Sequence, residues 1–143
     1  MNASRTAMMQ ILLPDFQSSL KRGASYEQYL LAACAVARLC LPLVHKDENR
    51  PRIAVETVEK WLRGEASIHD LLAQSKASLD SSTIYSDPGY APARAAYYVG
   101  MSAFWHMYTD AAEDDLFTVA VCAVKAGIDS KLITDTISEE MSK

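Results

Sequence analysis

The pair of side chains best suited to chemistry is His106 and Asp110, which are four residues apart. On a helix this spacing places both on one face. A neutral imidazole beside a carboxylate can act as a general base or supply two ligands to a metal ion. A catalytic zinc site needs three protein ligands, and no third ligand stands at a matching spacing. We therefore expect a structural role for His106, and we predict no catalytic residue, no metal and no cofactor.

The acidic run Asp110, Glu113, Asp114 and Asp115 is a candidate surface for a basic partner. These residues precede and begin a helix predicted over Leu116 to Ala126. A helix N-terminus prefers negative charge, and each such charge contributes about 0.3–1 kcal/mol there. Because helix formation already explains the run, it is our second choice for a partner-binding surface.

Two loops supply our first choice for the partner-binding surface. Tyrosines flank a carboxylate in the irregular stretch 80–91, a composition that recurs in protein-binding surfaces, although tyrosines folded back over the bundle end are an equal alternative. If successive helices run antiparallel, this loop and the loop 44–49 fall at the same end. The predicted surface, acidic and aromatic, comprises Asp47, Glu48, Tyr85, Asp87 and Tyr90.

Turn chemistry divides the chain into helical segments and indicates no strand of useful length. Pro14 predicts a break in the first helix, Ser25 with Gln28 forms a capping box, and Pro51 and Gly64 bracket another helix. We predict one all-α domain over residues 1–143, a helical bundle of about six to seven helices. The second and fifth predicted helices, rich in apolar and small residues, should be innermost.

The sequence also predicts ion pairs between side chains. Glu59 and Arg63 stand at i,i+4 and should form an ion pair on the solvent side. If Arg38, within an apolar helix, and Arg94 are partly buried, each needs a carboxylate partner. Asp114, Asp115 and Glu65 are the candidates, and the sequence does not assign the pairs.

Composition excludes several classes of protein. The longest apolar run, Tyr29 to Ala37, is shorter than the ~20 residues that a membrane span needs. Fourteen basic and eighteen acidic residues give a net charge of −4, which disfavours nucleic acid as a partner. Three cysteines without a Cys-x-x-Cys motif and no signal-peptide pattern at the start predict a cytoplasmic protein.

Four segments carry a resemblance to a known family. They are the alanine-rich helix 31–43, the segment Asn-Arg-Pro-Arg-Ile-Ala-Val-Glu at 49–56, the helix end Trp-Leu-Arg-Gly-Glu at 61–65, and the small-residue helix 93–106. Together they span about residues 26–126. The chain resembles the bacterial immunity proteins of polymorphic toxin systems, in the family numbered five. Trp105 precedes His106 where the family pattern has Ala-His, which weakens any role for His106.

The resemblance implies a cytoplasmic protein that binds a cognate toxin domain and blocks it by occlusion, without catalysis. An acidic surface would suit a basic toxin. A small helical enzyme or ligand-binding bundle using His106 and Asp110 is one alternative, and it requires a sizeable cavity beside His106. A helical adaptor or self-associating domain is another.

Overall fold

Helices account for most of the described residues, and short turns join them. The computed structural model describes residues 3–80, Arg94, Tyr97 and residues 109–143. No strand occurs in these ranges, so the predicted all-α bundle is confirmed. The helices are α1 (Ala3–Leu12), α2 (Phe16–Ser19), α3 (Tyr26–Cys40), α4 (Arg50–Leu62), α5 (Ile68–Asp80), α6 (Thr109–Lys125) and α7 (Ser130–Met141), with a 3-10 turn at Leu41–Leu43 after α3.

The helix ends follow the predicted local signals. The first helical segment is interrupted at Pro14, which lies between α1 and α2. The Gln28 amide donates to Ser25 Oγ at 3.2 Å, and the Ser25 amide donates to Gln28 Oε1 at 2.9 Å, which completes the capping box. Pro51 lies in the first turn of α4, and Gly64 has φ +76°, the left-handed conformation that ends a helix. These predictions are confirmed.

Helix α3 is the centre of the described bundle. It contacts α4, α6 and α7, and Ala32 and Val36 have no exposed surface. Small side chains on α3 let the neighbouring helices approach closely, so the second predicted helix is innermost as expected. The fifth predicted helix lies outside the described residues except for Arg94 and Tyr97. Both are helical, and the Arg94 guanidinium carbon lies 5.4 Å from the centre of the Tyr97 ring.

An aromatic pair joins the N-terminal part of the chain to α6. The rings of Phe16 and Phe117 meet edge to face, with centroids 5.3 Å apart and an interplanar angle of 69°. Leu116 beside them is fully buried. The short helix α2 is therefore held by the core rather than by its own length.

The ion pairs differ from those that helical spacing predicts. Glu59 binds Arg38 on α3 instead of Arg63, and Arg38 Nε donates to Glu59 Oε2 at 2.9 Å. Arg63 pairs with Glu65 beyond the helix end at 3.1 Å. The predicted Glu59–Arg63 pair is wrong because α3 packs beside α4 and presents a guanidinium whose two donors match one carboxylate. None of the carboxylates considered for Arg38 from the sequence is its partner in this pair.

Helix α6 begins earlier than predicted. Its described part starts at Thr109, not at Leu116, and Ala112 is already buried. The acidic residues were interpreted as flanking and starting the helix. They instead occupy its first two turns, where Ala111, Ala112 and Glu113 are compatible with helix.

We expect Leu116→Ala to lower the free energy of unfolding by about 2–5 kcal/mol, because it leaves a cavity in the core. The matched control is Leu132→Ala on α7, where the side chain is 49% exposed and the loss should stay within about 0.5 kcal/mol. Urea unfolding followed by circular dichroism measures both. Equal losses for the two variants would contradict this assignment of the core.

Candidate functional site

The segment Val44 to Arg52, here called the 44–52 surface, joins the end of α3 to the start of α4. A turn closes where the Glu48 amide donates to the His45 carbonyl at 2.9 Å. The Asp47 amide donates to His45 Nδ1 at 3.2 Å. These bonds hold the loop locally while Asp47 stays 80% exposed. Asp47 is more open to solvent than Glu48, whose side chain is 25% exposed.

Glu48 is committed to an arginine. Arg50 Nε donates to Glu48 Oε1 at 2.7 Å, its Nη2 donates to the other carboxylate oxygen, and its backbone amide donates to Oε1 at 3.1 Å. The hydrogen bonds from Arg50 lower the pKa of Glu48, and the same pair raises the pKa of Arg50. A partner could therefore use the Glu48 charge only by competing with Arg50.

The described end of α5, where the second predicted loop begins in sequence, lies near the 44–52 surface. Helices α4 and α5 pack against each other, and the charge of Asp80 at the end of α5 raises the pKa of Arg50 at the start of α4. These two helices therefore run antiparallel, as predicted. The chain leaves α5 beside the 44–52 surface. Tyr85, Asp87 and Tyr90 lie outside the described residues, so their place on this surface stays a prediction.

The 44–52 surface carries both signs of charge, and the acidic character predicted for this end depends also on Asp87, which lies outside the described residues. Its acidic residues Asp47 and Glu48 are outnumbered by Lys46, Arg50 and Arg52, which gives a net charge of +1. The predicted set includes the two carboxylates of this segment but not the basic residues before and after them. The Asn-Arg-Pro-Arg sequence was the signal for these basic residues.

The acidic run of α6 is the second candidate surface. Asp110, Glu113, Asp114 and Asp115 all lie within the described part of α6. Asp114 is exposed, while Glu113 and Asp115 are partly buried. Residues 109–143 contain eight acidic and three basic side chains, a net charge of −5. The residues before Thr109 lie outside the described ranges, so the helix-terminus explanation of Glu113, Asp114 and Asp115 stays a prediction.

Two of the cavities lined by described residues are small. One, of about 80 Å³, lies at the 44–52 surface, and the other, of about 200 Å³, lies between Asp15 on one side and Asp135 on α7 on the other. Both are smaller than the ~300–1,000 Å³ typical of small-molecule sites. His106 and its surroundings lie outside the described residues, so the cavity that the enzyme alternative requires stays untested.

Metal and thiol chemistry have little support in the described ranges. Within residues 3–80 and 109–143, no three His, Cys, Asp or Glu side chains are grouped so that they could hold a metal ion. Burial raises the pKa of the Cys40 thiol to about 12, and it also raises the pKa of Cys34. Both thiols are therefore poor nucleophiles at neutral pH. No helix among the described residues is long and apolar enough to cross a bilayer.

Comparison with known proteins gives no relative. No protein-family model matches the chain, and neither a curated protein nor a solved structure matches it.

The Glu48–Arg50 pair should make stability depend on pH. Because the folded-state pKa of Glu48 is lowered, the pair stabilises the fold above the ordinary glutamate pKa, and this contribution is lost as pH falls through the lowered value. We expect Arg50→Gln to return the pKa of Glu48 towards its ordinary value, as measured by NMR titration of the side-chain carboxyl carbon. Arg52→Gln is the control and should leave that pKa unchanged. A pKa of Glu48 that does not respond to Arg50→Gln would show that the pair does not persist in solution.

Proposed function

We propose that this chain is a cytoplasmic immunity protein that binds a cognate bacterial toxin domain and neutralises it by occlusion, without catalysis. Four segments that resemble one immunity-protein family support the proposal. Three of them lie in the described residues. Residues 31–43 cover most of α3 and the 3-10 turn after it, residues 49–56 form the start of α4, and residues 61–65 form its end.

The observation that carries the proposal is that these three segments form one structural unit. Helices α3 and α4 contact each other, and the Arg38–Glu59 ion pair joins them. Pro51 opens α4 and Gly64 closes it, so the Arg-Pro-Arg and Arg-Gly-Glu sequences mark the two ends of one helix. A pattern spread over sequence thus corresponds to a scaffold that holds the 44–52 surface at one end.

A scaffold of this kind suits inhibition by binding. Tight inhibition needs a surface that is rigid before the partner arrives, because ordering flexible groups on binding costs affinity. The hydrogen bonds of Glu48 and His45 hold the 44–52 surface in one arrangement. Tyr85 and Tyr90 supply aromatic anchors in the proposal, with Asp47 and Asp87 beside them, and α6 supplies the negative charge that would attract a basic toxin.

Co-expression tests the function directly. The proposal predicts a toxin gene immediately upstream in the genome, whose C-terminal domain should arrest growth when expressed alone. We expect this chain to restore growth and to co-purify with the toxin domain, whereas an unrelated toxin domain should receive no protection. Growth arrest that persists despite soluble expression of both proteins would overturn the proposal.

The surface is tested by two matched double variants. We expect Tyr85→Ala with Asp87→Ala to weaken the complex by about thirtyfold or more, because anchor residues contribute 2 kcal/mol or more. The comparison is Asp114→Ala with Asp115→Ala on the second candidate surface, measured by titration calorimetry with circular dichroism as the check on folding. If only the second pair weakens binding, the acidic part of α6 is the partner surface instead.

A further inference from the structure

A small cavity at the 44–52 surface collects hydrogen-bond donors. It has a volume of about 80 Å³, and Leu41 and Val44 form part of its wall. His45, Lys46, Asn49 and Arg52 also line it. The space suits a single polar group of a side chain, since a water molecule occupies about 30 Å³ in the liquid.

The cations at this cavity are not already neutralised. Among the described residues, neither Lys46 nor Arg52 has a carboxylate within ion-pair distance, and neither side chain makes a hydrogen bond. The neighbouring Arg50 differs, because Glu48 binds it through both carboxylate oxygens. Glu48 also lines the cavity, but its charge is compensated by Arg50. The cavity therefore has an excess of positive charge.

Two neutral donors are also left available. His45 Nδ1 accepts the Asp47 amide at 3.2 Å, so the neutral ring carries its proton on Nε2, which becomes a donor. Asn49 occupies the N-cap position of α4, yet its side chain makes no capping hydrogen bond. Asparagine at this position usually accepts a helix amide, so the missing bond leaves the carboxamide free for another partner.

We propose that this cavity binds the side-chain carboxylate of an Asp or Glu presented by the protein partner. Arg52 supplies a guanidinium whose fork matches two carboxylate oxygens, Lys46 adds a second positive charge, and His45 and Asn49 add neutral donors. With the toxin domain as partner, the inference rests on the proposed function. The carboxylate specificity itself can be measured without any toxin.

Charge around the cavity favours one carboxylate over a polyanion. Asp47 is exposed beside the cavity, and Asp80 lies close enough to Arg50 to raise its pKa. The whole chain also carries a net charge of −4. A nucleic acid would bring a row of phosphates against these negative charges, whereas one acidic side chain would meet only the donors of the cavity.

The first experiment uses N-acetylglutamate amide, which carries a single side-chain carboxylate, as the probe at neutral pH. We expect saturable NMR shifts of the Arg52 Nε–H and Asn49 carboxamide signals, and none with N-acetylglutamine amide. Inorganic phosphate should bind more weakly. No saturable shift, equal shifts with the glutamine compound, or tighter binding of phosphate would each overturn the assignment.

Variants identify the residue responsible. Arg52→Gln should weaken binding of the glutamate probe by about tenfold or more, since a charge-assisted hydrogen bond is worth about 1.5–3 kcal/mol. Arg22→Gln, which changes another exposed arginine, is the matched control and should have no effect. Circular dichroism should show both variants folded, because the Arg52 side chain makes no ion pair or hydrogen bond in the described structure. Equal weakening by the two variants would reduce the effect to net charge and overturn the site.

A toxin complex adds a second, separate measurement. In that complex, Arg52→Gln should weaken binding to the unchanged toxin. When the toxin carries a single Asp→Asn or Glu→Gln change at the residue that enters the cavity, Arg52→Gln should have little further effect. If the glutamate probe binds as expected but the toxin domain does not bind at all, the proposed function fails and the carboxylate site stands. If the toxin binds and Arg52→Gln has no effect, the site is not used by that partner and the inference fails.

Discussion

The structure depends on the burial of α3 between its neighbours. Ala32, Ala33, Val36 and Ala37 on this helix are almost completely inaccessible to solvent, and α4, α6 and α7 all contact α3. Alanine at these positions costs little side-chain entropy and lets a neighbouring backbone approach closely. Each surrounding helix therefore turns one face towards α3 and leaves another exposed. The surfaces open to a partner, on α4 and α6 among others, follow from this packing.

Features determined by local sequence were predicted well. The break at Pro14, the Ser25 capping box and the left-handed Gly64 depend on residues within one turn of each other, so the sequence contains all the information. The Glu59 ion pair depends on which helix packs beside α4. Spacing along one helix assigned Glu59 to Arg63, whereas the contact with α3 offered Arg38 from a distant part of the chain. Long-range pairs of this kind cannot be read from spacing.

The candidate site shows the same division. The prediction that α4 and α5 are antiparallel is confirmed because a short connection leaves two packed helices few other arrangements. The character of the surface was harder to predict. Glu48 and Arg50 are two residues apart across the entry to a helix, a geometry outside the i,i+4 rule, and their pair removes one of the carboxylates expected to face a partner. Counting acidic residues alone overlooked this neutralisation.

The chain separates two signs of charge. Residues 109–143 hold a net charge of −5, so they account for the negative charge of the whole chain, while the 44–52 surface is net positive with two cations that lack an ion-pair partner among the described residues. Long-range attraction is governed by total charge, and contact specificity is governed by the groups that finally touch. A basic protein would be drawn to this chain in general. Only one that also presents an acidic side chain at the right place would satisfy Arg52 and Lys46. In the proposed complex, a requirement for both features would exclude most basic proteins as partners.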